Sequence, residues 1–234
     1  MLKWKMVLWL IIPFLCLAVV PTNSNGEASK KESPAQSKYD AAVKLRDSGE
    51  IAKALVEFKA AIKADDKFIP AYNDLALLHS QTGNKKEAIS TFKKAIDKNP
   101  TYPITHYNLG IIYEEQKEYK KAIYEYEFAK KLNPNFIPAY HRLGLLHYNK
   151  DDYNAAITVL KKAVDLNVQV PEMNEVRYNL ARAYAKKDMF KEASAQLGEI
   201  LLTEPANTQL ASATADLNKY VRMMLNTESK KEGK

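Results

Sequence analysis

Cysteine is nearly missing from this chain. The single one, Cys16, lies in an apolar N-terminal stretch, so the rest of the sequence has no disulfide and no cysteine-held metal. Both tryptophans, Trp4 and Trp9, fall in that stretch too. Only 7 glycines and 10 prolines occur in 234 residues, which argues against disorder and against a turn-rich β fold. No pair among the 4 histidines has i, i+4 spacing, and H-E-x-x-H is absent. There is no glycine-rich phosphate loop and no G-x-S-x-G. The acidic pairs Glu114-Glu115 and Asp151-Asp152 sit at expected helix ends, where solvent holds them. No catalytic constellation emerges, and no cofactor or metal is expected.

What the chain does have is Ala, Lys, Leu and Glu, all good helix formers. It also repeats itself. Ala71-Tyr72-x-x-Leu75-Ala76-x-x-His79 is answered by Thr105-His106-x-x-Leu109-Gly110-x-x-Tyr113, a shift of 34. Ala88, Phe92, Ala95 and Pro100 are answered by Ala122, Tyr126, Ala129 and Pro134. Stepping outward gives five units: 35–68, 69–102, 103–136, 137–170 and, after the insertion Pro171-Glu172-Met173, 174–207. The first is the most degenerate, with Lys38 and Ala41 where Tyr72 and Leu75 stand in the next.

The recurring residues have a mechanical meaning. Position 8 of each unit (Ala42, Ala76, Gly110, Gly144, Ala181) and position 20 (Ala54, Ala88, Ala122, Ala156, Ala193) are small. Helix axes approach to about 8–10 Å only over small side chains. Position 24 (Phe58, Phe92, Tyr126, Leu160, Leu197) is large and fills the space beside them. Pro100, Pro134 and Pro205 stop second helices, and Gly49 and Gly83 turn the chain. Residues 208–226, with Leu210, Leu217, Tyr220, Val221, Met224 and Leu225 in a stripe, read as a helix covering the open end. Residues 227–234 read as a disordered tail.

Over residues 35–207 the pattern resembles the tetratricopeptide-repeat (TPR) family. The resemblance implies an all-α, right-handed superhelical solenoid of five helix-turn-helix repeats plus the capping helix. It also implies a concave groove lined by first helices, which commonly holds a peptide or partner helix, and no shared catalytic activity. Carried onto this sequence, positions 2, 5, 6, 9, 12 and 13 of each first helix face the groove. They include Tyr39, Asn73, Tyr107, His141 and Tyr178, then Asp74, Asn108, Arg142 and Asn179, then Leu77, Ile111, Leu145 and Arg182. Tyrosine gives contact area with little entropy loss, and asparagine can bond a peptide backbone. The aliphatics, with Val43, also suit packing between first helices. Some members clamp a C-terminal carboxylate. Asn108 and Arg142 match two clamp positions, but Asn73, Leu77 and Pro138 depart from the other three, which argues against a clamp. His79 and His147 are expected between helices, and His106 takes the place of Tyr72 and Tyr140. His141 alone of the four is a groove candidate.

The N-terminus reads as an address. Lys3 and Lys5 precede an apolar run from Met6 to Val20, followed by polar Pro21 to Gly26. Fifteen residues span about 22 Å as a helix, short of the roughly 30 Å hydrocarbon core. Residues 1–28 are expected to be a cleaved signal, with a short N-terminal membrane anchor through residues 4–20 as the alternative. Cys16 lacks the small neighbour that lipidation needs. Residues 29–34 form a flexible linker. Either way the repeats lie outside the cytoplasm, periplasmic or otherwise extracytoplasmic.

The formal net charge is +7. Lys93-Lys94, Lys120-Lys121, Lys130-Lys131 and Lys161-Lys162 fall on or near second helices, interspersed with acids. Nucleic acid is not an expected partner of an exported chain. The leading expectation is an adaptor that holds a protein or peptide segment. The alternatives are a binder of anionic lipid or envelope polymer through the lysine face, and a non-catalytic subunit of an envelope enzyme.

Overall fold

The computed structural model describes residues 32–166, 169–203 and 208–232. The signal or anchor expected at 1–28 lies outside them. The described residues hold eleven helices and no strand. Five antiparallel pairs come first: α1 (Pro34–Asp47) with α2 (Ile51–Ala64), α3 (Ile69–Gln81) with α4 (Lys85–Lys98), α5 (Pro103–Glu115) with α6 (Tyr119–Leu132), α7 (Ile137–Asn149) with α8 (Tyr153–Asp165), and α9 (Met173–Lys186) with α10 (Phe190–Leu202). Helix α11 (Thr208–Glu232) follows.

Local chemistry sets these boundaries. Proline at the first or second position opens α1, α3, α5 and α7, where its missing N–H costs nothing. Ser33 caps α1 by accepting from the Gln36 amide (3.1 Å), so the end of the expected linker already belongs to the helix start. Within each pair the turn passes through one left-handed residue at the same place: Gly49, Gly83, Lys117, Asp151 and Asp188. Glycine takes that conformation freely, and the other three accept a modest strain. Between pairs, Asp65, Asn99 and Asn133 each accept from the backbone amide two residues on. Position 4 then sews each such loop to the next helix. Tyr72 donates to Asp66 O, His106 Nε2 bonds Pro100 O and Tyr140 donates to Pro134 O.

Packing runs along the stack without a common centre. Each second helix lies on its own first helix and on the first helix of the next pair. Phe58, Phe92, Tyr126, Leu160 and Leu197 are fully buried, each with the small residue of its own pair at position 8 also buried. The fit is close. A methyl at Gly110 would lie 2.6 Å from the Tyr126 ring, and one at Gly144 would lie 2.4 Å from Leu160.

Helix α11 closes the end. Val221 is buried, and Leu217, Met224 and Leu225 pack on the last hairpin. Tyr220 stays partly exposed, edge-on to Phe190 at 6.1 Å. Helix α11 continues through Glu232, past the start of the tail expected from 227. Thr227 returns its hydroxyl to Met223 O and Ser229 to Asn226 O, and no proline or glycine interrupts the run before Gly233.

Gly110→Leu should force Tyr126 out of place and lower stability by about 1–3 kcal/mol. Thermal unfolding of the purified variant measures this, and an unchanged midpoint would contradict the interlock.

Candidate functional site

Helices α1, α3, α5, α7 and α9 stand side by side. Helix α3 touches α5, and α7 touches α9, whereas no two second helices make contact of comparable extent. The chain is therefore crowded on the first-helix side, the geometry of an inner face. The groove residues expected from the sequence all lie on these helices.

The structure links many of them to one another. Tyr39 donates to Asp74 Oδ2 (2.8 Å), and Arg46 reaches the same oxygen at 3.2 Å. Burial raises the Asp74 carboxyl above its usual range even so, against the opposing pull of Tyr39 and Arg46. One pair along, Asn73 is buried and donates to Thr105 Oγ1 (3.0 Å) and to Ile69 O (3.2 Å). Next, Tyr107 is hydrogen-bonded to Arg142, whose guanidinium lies 3.7 Å from Glu114. Glu114 also accepts from the buried Tyr126 hydroxyl at 2.7 Å. Finally, Asn179 donates to His141 Nε2 (2.9 Å) and to Glu175 O (3.0 Å), and accepts from Arg182 (2.9 Å). A polar chain thus runs from position 5 of one repeat to position 6 of the next in three of the four junctions. Asn108 is buried, 8% exposed, and makes no contact of this kind.

What this leaves toward solvent is mostly apolar. Val43, Leu77, Ile111 and Leu145 recur every 34 residues, each half-buried. Val43, Leu77 and Ile111 press one side on the core and leave the other open. Ile104 is 37% exposed on α5. Toward the C-terminal end, the Arg182 guanidinium sits 4.3 Å from the centre of the Tyr148 ring and 5.8 Å from that of Tyr178. Aliphatic steps beside fixed aromatic and amide groups can hold side chains and the backbone of a bound segment.

Arg46, Glu114 and Tyr148 belong to this face, and Glu114, expected in solvent as half of an acidic pair, is instead held by Tyr126 and Arg142. All three occupy position 12. The histidines divide as their positions imply. His106 is buried, with Glu125 at 2.8 Å from Nδ1. His79 and His147 are half-buried where helices meet. Among the described residues no group of three His, Cys, Asp or Glu side chains is placed to hold a metal, and no helix is long and apolar enough to cross a membrane.

Sequence profiles of the tetratricopeptide repeat match residues 103–136 and 147–217, and a TPR-repeat profile matches residues 81–117. Together they take in more than half of the chain. It belongs to the tetratricopeptide-repeat family. The TPR solenoid is similar to that of solved proteins. MamA from Desulfovibrio magneticus is 21% identical, with TM-score 0.60 over 75% of this chain and 98% of that one. A thermophilic TPR protein from Thermus thermophilus is 24% identical, with TM-score 0.57 over 78% and 98%. YrrB, described as a TPR protein with an unusual peptide-binding site, is 22% identical, with TM-score 0.57 over 79% and 94%. At these identities the likeness is one of fold. No curated protein sequence matches this one.

His141 supplies a test of the TPR face. Burial, helped by Arg142, pushes its pKa down to about 4, so the ring is neutral at pH 7 and accepts from Asn179. Below about 6.5 the unfolded ring takes a proton that the folded ring refuses until about pH 4. The unfolded state therefore binds more protons in that window, and stability should fall as pH drops through it, by about 1–3 kcal/mol. Urea unfolding at stepped pH should show a shallower fall over this window in His141→Gln, and an identical slope would remove His141 from the account.

Proposed function

We propose that this TPR protein is an exported or membrane-tethered adaptor that holds a segment of a partner protein along its first-helix face. That it is a protein-interaction scaffold follows from its family. The observation that carries the finer reading is the row Val43, Leu77, Ile111 and Leu145. Half-buried aliphatics at constant spacing offer a series of apolar steps. The polar groups beside them are already engaged with one another, so they are held in place before any ligand arrives. A segment with apolar side chains at regular intervals would bury the row and align its backbone beside Asn179 and Tyr178. YrrB, by its description, carries a peptide-binding site on the same fold, which supports the reading by analogy. Export is supported by Lys3 and Lys5 ahead of the run Met6 to Val20 and the polar stretch after it.

Both parts are testable in one experiment. The full-length protein is crosslinked in its native cells, recovered, and its N-terminus read by mass spectrometry. Ile111→Ala with Leu145→Ala should reduce capture of the dominant partner about tenfold or more, at unchanged helical circular dichroism. Equal capture would remove this face from the function. A start between Asn25 and Ser29 indicates a released protein, and a start at Met1 in the membrane fraction indicates a tether. A protein starting at Met1 in the cytosol would refute export.

A further inference from the structure

The second-helix side carries a groove that the adaptor reading does not use. It lies between α2 and α4 over α3, with a volume of about 590 Å³. Its floor is apolar, formed by Ile62, Tyr72 and Leu75. Its walls carry Lys59, Lys86 and Lys94, and none of the three takes part in an ion pair among the described residues. Ser90 adds a hydroxyl, that of Thr91 is donated to Glu87 O at 2.8 Å, and the lone acid on the wall is Glu87. His79 lines the same groove, and its Nδ1 is buried without a hydrogen-bond partner. Buried polar atoms without partners are rare in folded proteins, and this one belongs to a ring that shares its groove with three unpaired cations.

The equivalent places over α5 and α7 are filled, which makes the contrast informative. One repeat on, Ser90, Thr91 and Lys94 become Tyr124, Glu125 and Phe128. Glu125 reaches His106 at 2.8 Å, the Phe128 ring lies 4.5 Å from that of His106, and Tyr124 stacks on Phe128 at 6.2 Å. Two repeats on, Val159 replaces Thr91 and packs on the core, and Lys130 covers the Tyr140 ring at 5.6 Å. There His147, the counterpart of His79, has Asp152 at 3.7 Å from Nδ1. At the corresponding place before α4 stands Asn84, whose amide turns to Thr82 instead. The groove over α3 thus keeps Lys59, Lys86, Lys94 and Ser90 without such partners among the described residues.

We propose that this groove binds a phosphoryl group, received by Lys59, Lys86 and Lys94 with His79 and the Ser90 hydroxyl as further hydrogen-bond partners. The donor set decides the chemistry. Three point charges and a hydroxyl carried by α2 and α4 suit a tetrahedral polyanion, whereas a planar carboxylate is served best by an arginine fork, and the groove has no arginine. Burial, with Lys59 beside it, holds His79 below the usual histidine range, so its ring is neutral near pH 7 and can turn either an N–H or a lone pair inward. The phosphoryl group can come from a soluble phosphate ester or from a lipid headgroup.

The test uses the full-length protein at low salt. Pyrophosphate is titrated in while the His79 ring proton signals are followed. In parallel, flotation is measured with phosphatidylcholine vesicles, plain or carrying phosphatidate. Binding in at least one arm should weaken about tenfold for each lysine removed in Lys59→Gln and Lys94→Gln. The Lys120→Gln, Lys121→Gln variant, which removes the same charge beside the filled groove, should bind normally. Pyrophosphate binding without phosphatidate-dependent flotation makes a soluble ester the source, and phosphatidate-dependent flotation lost with Lys59 and Lys94 makes it the headgroup. Failure in both arms would overturn the proposal. So would an equal loss in the control variant, or malonate binding as tightly as pyrophosphate.

Discussion

The structure depends on one contact made five times, a small residue of the first helix against a large one of the second. Ala42, Ala76, Gly110, Gly144 and Ala181 leave the space, and Phe58, Phe92, Tyr126, Leu160 and Leu197 occupy it. Where the space is tightest the small residue is glycine, since even a methyl would come within 2.4–2.8 Å of its neighbour. The contact fixes the separation of the two helices in each pair. That separation places each second helix against the next first helix, and the stack follows. No repeat buries its apolar surface alone, so an error in one interlock would be felt by its neighbours.

The same regularity divides the molecule into two sides with different chemistry. On the first-helix side, polar residues one repeat apart bind each other: Tyr39 with Asp74, Tyr107 with Arg142, His141 with Asn179. The pairs differ in residue type but not in place, so the geometry of the repeat, rather than any one chemistry, selects them. They stiffen the face and leave aliphatic steps for a partner. On the second-helix side the residues vary from repeat to repeat, and one junction stays open and basic while the next is filled by aromatic rings and a glutamate.

The fold was legible because its signal is a period. Small and large residues recurring every 34 positions name the helices, their pairing and their order without further information. Position 12 is a groove position by the family resemblance, although Arg46, Glu114 and Tyr148 there carry no further mark of that role in the sequence. The polar pairing was hidden for a different reason. Tyr39 and Asp74 are each visible as groove candidates, but nothing in their spacing says that one satisfies the other. The buried amides of Asn73 and Asn108 look like free recognition groups in the sequence, whereas the Asn73 amide nitrogen is spent on Thr105 and Ile69. A charged, polar ending such as that of α11 reads the same in sequence whether frayed or helical. The open groove was out of reach, since it exists only by contrast with filled neighbours.

The interlock is tested most directly by a double-mutant cycle on Gly144 and Leu160. Gly144→Ala places a methyl where Leu160 already is, and Leu160→Ala leaves a cavity in the same place. In the double variant the new methyl enters the vacated space. Denaturant unfolding should show the pair less destabilised than the sum of the singles, with a coupling of about 0.5–3 kcal/mol. Simple additivity would mean that the two side chains do not share that space, and the account of how the repeats are spaced would fail with it.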